Sequence, residues 1–152
     1  MITVYVDGLC EPCNPNGVAC WGFVIYRDGE KVTEGRGVVG EGAGMSSNLA
    51  EYSALANSLR VLISFGWENE EVIVRTDSSL VANQMSGRWK VHGGMYLPAY
   101  LEAKQLAKRF KRLSFQWIPR RANKEADSLS RKAYREFIGK GGDFMNGNRI
   151  GL

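Results

Sequence analysis

Four acidic residues, Asp7, Glu51, Asp77 and Asp127, carry the chemistry that this sequence most plainly offers. Asp7 and Asp77 each close a β-rich run, ITVYVD from Ile2 and EVIVRTD from Glu71. Glu51 and Asp127 each fall in the first turn of an expected helix. If the two runs are parallel neighbours, both aspartates emerge at one sheet edge, where open α/β folds place their ligand sites. The helix starts can face the same edge. Each acid alone also has a local explanation. Glu51 follows Asn48 by three, as in a capping box. Asp127 suits the positive end of a helix dipole. Asp7-Gly8 reads as a turn and Asp77-Ser78 as a helix cap. Jointly these explanations weaken, because four carboxylates in one cleft repel one another and resist ionisation. A divalent cation relieves that cost, and an all-oxygen donor set suits Mg²⁺ or Mn²⁺ rather than zinc.

The elements that must position these acids follow from periodicity and turn residues. Ile2 to Asp7 reads as a first strand, and Gly8 to Gly17 as a turn-rich loop. Val18 to Arg27 and Lys31 to Val39 read as a hairpin around Asp28-Gly29. From Asn48 the period becomes helical, with Tyr52, Leu55, Ala56, Leu59, Leu62 and Ile63 on one stripe and Gly66 as the stop. A fourth strand spans Glu71 to Thr76, and a short helix spans Ser78 to Ser86. Pro98 opens the next helix, whose expected buried face is Leu101, Ala103, Leu106, Ala107 and Phe110. Leu113 to Ile118 is the fifth strand. Asn123 then caps a last helix to about Ile138, with Ala126, Leu129, Ala133 and Phe137 facing inward. The order β-β-β-α-β-α-α-β-α predicts an α/β fold with a mixed five-stranded sheet, three antiparallel strands then two parallel, flanked by helices.

A chain of 152 residues suits a single domain, here 1–138, with a polar, flexible tail over 139–152. With 44% hydrophobic and 24% charged residues, it is neither disordered nor low in complexity. No stretch approaches the ~20 apolar residues of a membrane span. The start, MITVYVDG, lacks a basic n-region, so no leader peptide is expected. The net charge of +4 conceals an asymmetry: residues 104–135 hold eleven Lys/Arg and two acids, while 1–103 are mildly acidic. Such a stretch is either a solvated helix face or a patch for a polyanion.

Cys10, Cys13 and Cys20 cluster early in the chain. Zinc would lack ligands there, since the only histidine is the distant His92. Pro12, Pro15 and Gly17 make the Cys10–Cys13 stretch a turn rather than the helix start of a redox motif. Inert thiols are expected, with a Cys10–Cys13 disulfide as the alternative. His92 is expected to be structural or solvent-exposed. A small-molecule enzyme is the least favoured class, because no Gly-rich phosphate loop or nucleophile elbow is visible.

Four segments together carry a resemblance: Tyr5-Val-Asp7-Gly8, Ser47-Asn48-Leu-Ala-Glu51-Tyr52, Val74-Arg-Thr-Asp77-Ser78, and Trp117-Ile-Pro-Arg120 with Asn123-Lys-Glu-Ala-Asp127. As a spaced set over residues 1–138, they resemble the type 1 ribonuclease H family. The resemblance implies a ribonuclease H-like sheet and a metal-binding catalytic quartet of Asp7, Glu51, Asp77 and Asp127. It further implies cleavage of the RNA strand of RNA–DNA hybrids to 5′-phosphate and 3′-hydroxyl ends. Two ions, Mg²⁺ or Mn²⁺, are expected when substrate is bound, with Asp7 bridging them. Asn14, Ser46 and Trp89 match family positions that contact the hybrid or its DNA strand. Little sequence preference is expected, because such contacts go to sugars and phosphates.

Two departures stand out. Where many bacterial members carry a histidine before the fourth carboxylate, this chain has Arg120-Arg121-Ala122. Arg120 suits a contact to the scissile phosphate but not a base, since it stays protonated. The long basic protrusion of some members is replaced by a short segment, Val91 to Leu97. A cytoplasmic monomer is expected, with no obligate protein partner and no membrane. The rival readings are a silent nucleic-acid-binding module and an integrase-like nuclease on a similar fold.

Overall fold

The computed structural model of the chain describes residues 1–140. Its strands are β1 (Ile2–Glu11), β2 (Val18–Arg27), β3 (Glu30–Glu41), β4 (Glu71–Thr76) and β5 (Arg112–Trp117). Its helices are α1 (Ser47–Ser64), α2 (Ser79–Met85), α3 (Leu97–Ala107) and α4 (Lys124–Gly139). A 3₁₀ turn at Arg120–Ala122 leads into α4. The sheet order is β3-β2-β1-β4-β5. The first three strands pair antiparallel, while β4 runs parallel to both β1 and β5. The predicted element order and pairing are therefore observed.

The main core lies under α1 and α3. Ile2, Val4, Val6, Val72 and Val74 meet Tyr52, Leu55, Leu59 and Leu62 there. The Tyr52 hydroxyl donates to Gln84 Oε1 at 2.7 Å, and its ring stacks on Tyr96 and meets Tyr100 edge-on. That contact ties α1 to α2 and α3. A smaller core of Leu9, Val18, Cys20 and Ala133 seats α4 on the other face. Arg36 on β3 clamps Glu136 on α4 through two 2.9 Å hydrogen bonds.

Several local expectations are corrected. β1 does not end at Asp7 but continues to Glu11, because β2 pairs with it as far as Glu11↔Val18. The turn residues begin only at Pro12. Leu101 is exposed rather than buried: it lies two residues, about 200°, from both Ala99 and Ala103, which form the buried face. Ser46, not Asn48, caps α1 by accepting from the Leu49 amide at 3.1 Å. Asn123 makes no side-chain capping bond to α4. α4 includes Gly139, and most of the expected tail, 141–152, lies outside the described residues.

Candidate active site

Register places the acids. The β1–β4 pairing ends at Val6↔Thr76, so Asp7 and Asp77 follow at equivalent positions as the two parallel strands part. This is the point where the antiparallel and parallel halves of the sheet meet. Two glycines then bring the helices close. A Cβ on Gly8 would lie 2.4 Å from the Glu51 nitrogen and 2.5 Å from the Ala50 carbonyl carbon. A Cβ on Gly22, which pairs with Asp7, would lie 2.7 Å from the Ala126 oxygen and 2.8 Å from the Ser130 nitrogen. Only hydrogen fits at either place. α1 thereby delivers Glu51, and α4 delivers Asp127 and Ser130, to the strand that carries Asp7.

Carboxylate oxygens of Asp7, Glu51 and Asp77 lie within 4.8 Å of one another. Asp7 is 5% exposed and Glu51 8%. Burial above all, then the charges of Asp77 and Asp127, pushes the Asp7 carboxyl from 3.8 up to about 8. Burial and then the charges of Asp7 and Asp77 hold Glu51 well above its ordinary range. Burial also raises Asp77, with Asn123 and Arg120 pulling the other way. Among the described residues, Glu51 Oε1 is buried without a hydrogen-bond partner. Ser78, not Asp77, caps α2 by accepting from the Val81 amide. The capping explanations for Glu51 and Asp77 therefore fail. Three crowded oxygen donors, one of them unpaired, fit a hard divalent cation.

Asp127 lines the same cleft of about 270 Å³ but is not among the three. Arg131, one turn on, holds both its oxygens at 3.1–3.2 Å. Arg120 also lines the cleft, with its guanidinium 3.9 Å from Asp127 and its side chain largely exposed. Asn14 lines the cleft as well and binds α1 twice, through the Ser47 hydroxyl at 2.8 Å and the Ser47 amide at 3.1 Å. Ser46 and Trp89 do not line it. The Ser46 hydroxyl is engaged as the α1 cap, and Trp89 is exposed beyond α2. His92 is exposed, and all three cysteines are free thiols.

Two supporting residues escape a reading by residue type. The Ser130 hydroxyl lies 3.0 Å from Asp7 Oδ2 and 2.9 Å from the Asp127 carbonyl, joining α4 to the central acid. The Asn123 amide donates to the Val6 carbonyl at 2.8 Å and to Asp77 Oδ2 at 3.3 Å. Ser130 lies three residues past Asp127 on the same helix face, and that spacing is the signal that could have found it. Asn123 leaves no comparable trace. The basic stretch divides in space. Arg120 and Arg131 face the acids, whereas Lys104, Lys108 and Lys111 line a separate hollow beside Phe110.

Fold and site together define an α/β domain with a cation-seeking carboxylate cluster at the meeting point of its sheet. Comparison with known proteins agrees. The family model described as reverse transcriptase-like matches residues 7–133. The bifunctional protein Rv2228c of Mycobacterium tuberculosis is 36% identical over 122 residues, covering 79% of this chain and 32% of its own length. Ribonuclease HI of Halobacterium salinarum is 31% identical over 132 residues, covering 87% of this chain and 63% of its own. The structure of LC11-RNase H1 in complex with an RNA/DNA hybrid superposes with a TM-score of 0.81 at 32% identity, covering 91% of this chain and 99% of that one. The chain belongs to the ribonuclease H family, and its likeness to a ribonuclease HI and an RNase H1 is consistent with type 1. It spans about a third of the length of the curated relatives that it matches first.

Proposed function

We propose that this chain is a divalent-cation-dependent endoribonuclease that hydrolyses the RNA strand of RNA–DNA hybrids, leaving 5′-phosphate and 3′-hydroxyl ends. The observation that carries this reading is the group of three carboxylates within 4.8 Å, set in a fold shared with a hybrid-bound neighbour. Asp7, Glu51 and Asp77 would hold Mg²⁺ or Mn²⁺, with Asp127 completing the set when a second ion accompanies substrate. A cation bound there supplies Lewis acidity towards water and towards the departing 3′ oxygen.

The chain's own residues do the remaining work. Ser130 and Asn123 fix one oxygen each of Asp7 and Asp77, leaving the others for ligation. Arg131 restrains Asp127 at the cleft wall. Arg120 offers a permanent positive charge to the phosphate. In the reaction a water oxygen bonds to phosphorus, the bond from phosphorus to the 3′ oxygen breaks, and that oxygen takes up a proton. Asn14 and Cys10 line the acid cleft, and this reading assigns Asn14 and the backbone near Cys10 to sensing the 2′-hydroxyls of the RNA strand. Ser46 and Trp89 are assigned to the DNA strand, outside the acid cleft. The same reading gives a monomer acting in the cytoplasm without an obligate protein partner.

The test is a panel of labelled RNA–DNA hybrid, duplex RNA, duplex DNA and single-stranded RNA, each with Mg²⁺ or Mn²⁺. Selective cleavage of the hybrid is expected. Equal cleavage of duplex DNA would favour an integrase-like nuclease, and no cleavage of the hybrid with either ion would end the reading.

A further inference from the structure

A second cleft, of about 540 Å³, shares no lining residue with the acid cleft. Its walls are aromatic and cationic. The rings of Tyr5 and Tyr26 meet edge to face with centroids 5.9 Å apart. Arg75 is fixed beside them: its Nη1 donates to the Tyr5 hydroxyl at 2.9 Å and its Nε to Gln116 Oε1 at 2.8 Å. Its guanidinium carbon lies 5.7 Å from the Tyr5 ring centre. Arg121, from the 3₁₀ turn, and Lys124, the first residue of α4, are exposed at the rim. Among the described residues, neither side chain has a hydrogen-bond or ion-pair partner. Glu125 is the one acid lining the cleft, and it is engaged by the Tyr26 hydroxyl and by Lys31. A surplus of positive charge therefore stands next to two half-buried rings. At the back, Asn123 has a buried Oδ1 with no partner, while its amide reaches Asp77.

This combination selects a ligand. The volume falls within the range of small-molecule sites. Tyrosine faces accept a flat heterocycle by stacking. A guanidinium fork and an ammonium donate to phosphate oxygens. We propose that this cleft binds a phosphorylated nucleoside unit, its base against the wall formed by the Tyr5–Tyr26 pair and its phosphate on Arg121 and Lys124. The unit is either a free nucleotide or the 5′-phosphorylated end of a strand. The adjacent residues of the 3₁₀ turn thus part company, Arg120 to the acid cleft and Arg121 to this one. The proposal does not depend on the assigned nuclease activity.

The test is titration of the full chain, with chelator present to keep metal out of the acid cleft. The probes are adenosine 5′-monophosphate, adenosine, inorganic phosphate and a 5′-phosphorylated DNA trinucleotide, followed by calorimetry and amide chemical shifts. Adenosine 5′-monophosphate should bind at least about tenfold more tightly than adenosine or phosphate alone, a difference of ~1.4 kcal/mol. Shifts should centre on Tyr5, Tyr26 and Ala122. The double variant Arg121→Ala/Lys124→Ala, at exposed positions, should weaken binding about tenfold or more without lowering the melting temperature. A trinucleotide that binds more tightly than the mononucleotide, and loses affinity in the same variant, identifies a strand end as the occupant. Equal affinities identify the free nucleotide. No binding of either phosphorylated probe at ~10 mM, or binding that the double variant leaves unchanged, would overturn the proposal.

Discussion

Asp7→Asn should make the cation-free protein more stable, not less. Asp7 is almost fully buried, and its carboxyl is pushed from 3.8 up to about 8 by burial and by neighbouring acids. An acid whose folded pKa lies above its unfolded pKa binds more protons in the fold. Stability then falls as pH rises through the window between the two values and levels off above the higher one. At about 1.4 kcal/mol per tenfold, the rise from 3.8 to about 8 sets a ceiling near 5–6 kcal/mol for the cost of an ionised Asp7 above pH 8. Glu51 and Asp77 share that repulsion and relax once one member is neutral, so a gain of about 2–4 kcal/mol is expected from one substitution. Asparagine keeps the shape and an oxygen that can still accept from Ser130. For a 152-residue domain, about 2–4 °C per kcal/mol translates this into a rise of roughly 5–15 °C in melting temperature. The assay is thermal unfolding in chelator at about pH 8.5 and about pH 4. The variant should melt higher at the alkaline pH and close to wild type at the acid one. Adding Mg²⁺ should raise the wild type far more than the variant. A variant equal to or less stable than wild type at pH 8.5, or a difference independent of pH, would refute the reasoning.

Three further outcomes follow. Gly8→Ala forces a carbon to within 2.4 Å of the α1 backbone and should cost about 3 kcal/mol or more, read as a lower urea midpoint; a midpoint equal to that of wild type would mean that α1 does not press on β1. Mg²⁺ affinity should climb as pH rises towards about 8, because a proton on Asp7 competes with the ion and Glu51, also held above its ordinary range, competes in the same direction; calorimetry showing a flat profile from about pH 6 to about pH 9 would contradict the cluster. Arg120→Ala should slow hybrid cleavage more than Arg121→Ala, since only Arg120 lines the acid cleft, and the reverse order in a turnover assay would transfer the role.

The element order and the positions of the acids were legible because β-rich runs, helical stripes and turn residues each have a local signature. The three-carboxylate group was legible as a set, since no capping role accounts for all of its members. What escaped depends on contacts far apart in the chain. Asp7-Gly8 has the form of a turn, yet Gly8 sits within a strand that pairing with β2 carries to Glu11, and its missing side chain lets α1 approach. Gly22 does the same for α4. Asn123 precedes a helix and so reads as its cap, but its amide is drawn instead to the Val6 carbonyl, 117 residues earlier. Leu101 reads as inward by its hydrophobicity, but its helical phase turns it to solvent. The division of Arg120 from Arg121 between two clefts is set by the 3₁₀ turn, and adjacent residues of one type carry no sign of it.

The central claim is that the Asp7–Glu51–Asp77 group gathers a cation for hydrolysis of the RNA strand, and analysis of the cleaved ends tests it most directly. Wild type with Mg²⁺ and a labelled hybrid is predicted to give RNA fragments with 5′-phosphate and 3′-hydroxyl ends. Cleavage should stop on chelation and be absent in Asp7→Asn. Fragments ending in 2′,3′-cyclic phosphate, or scission that continues in chelator, would contradict it.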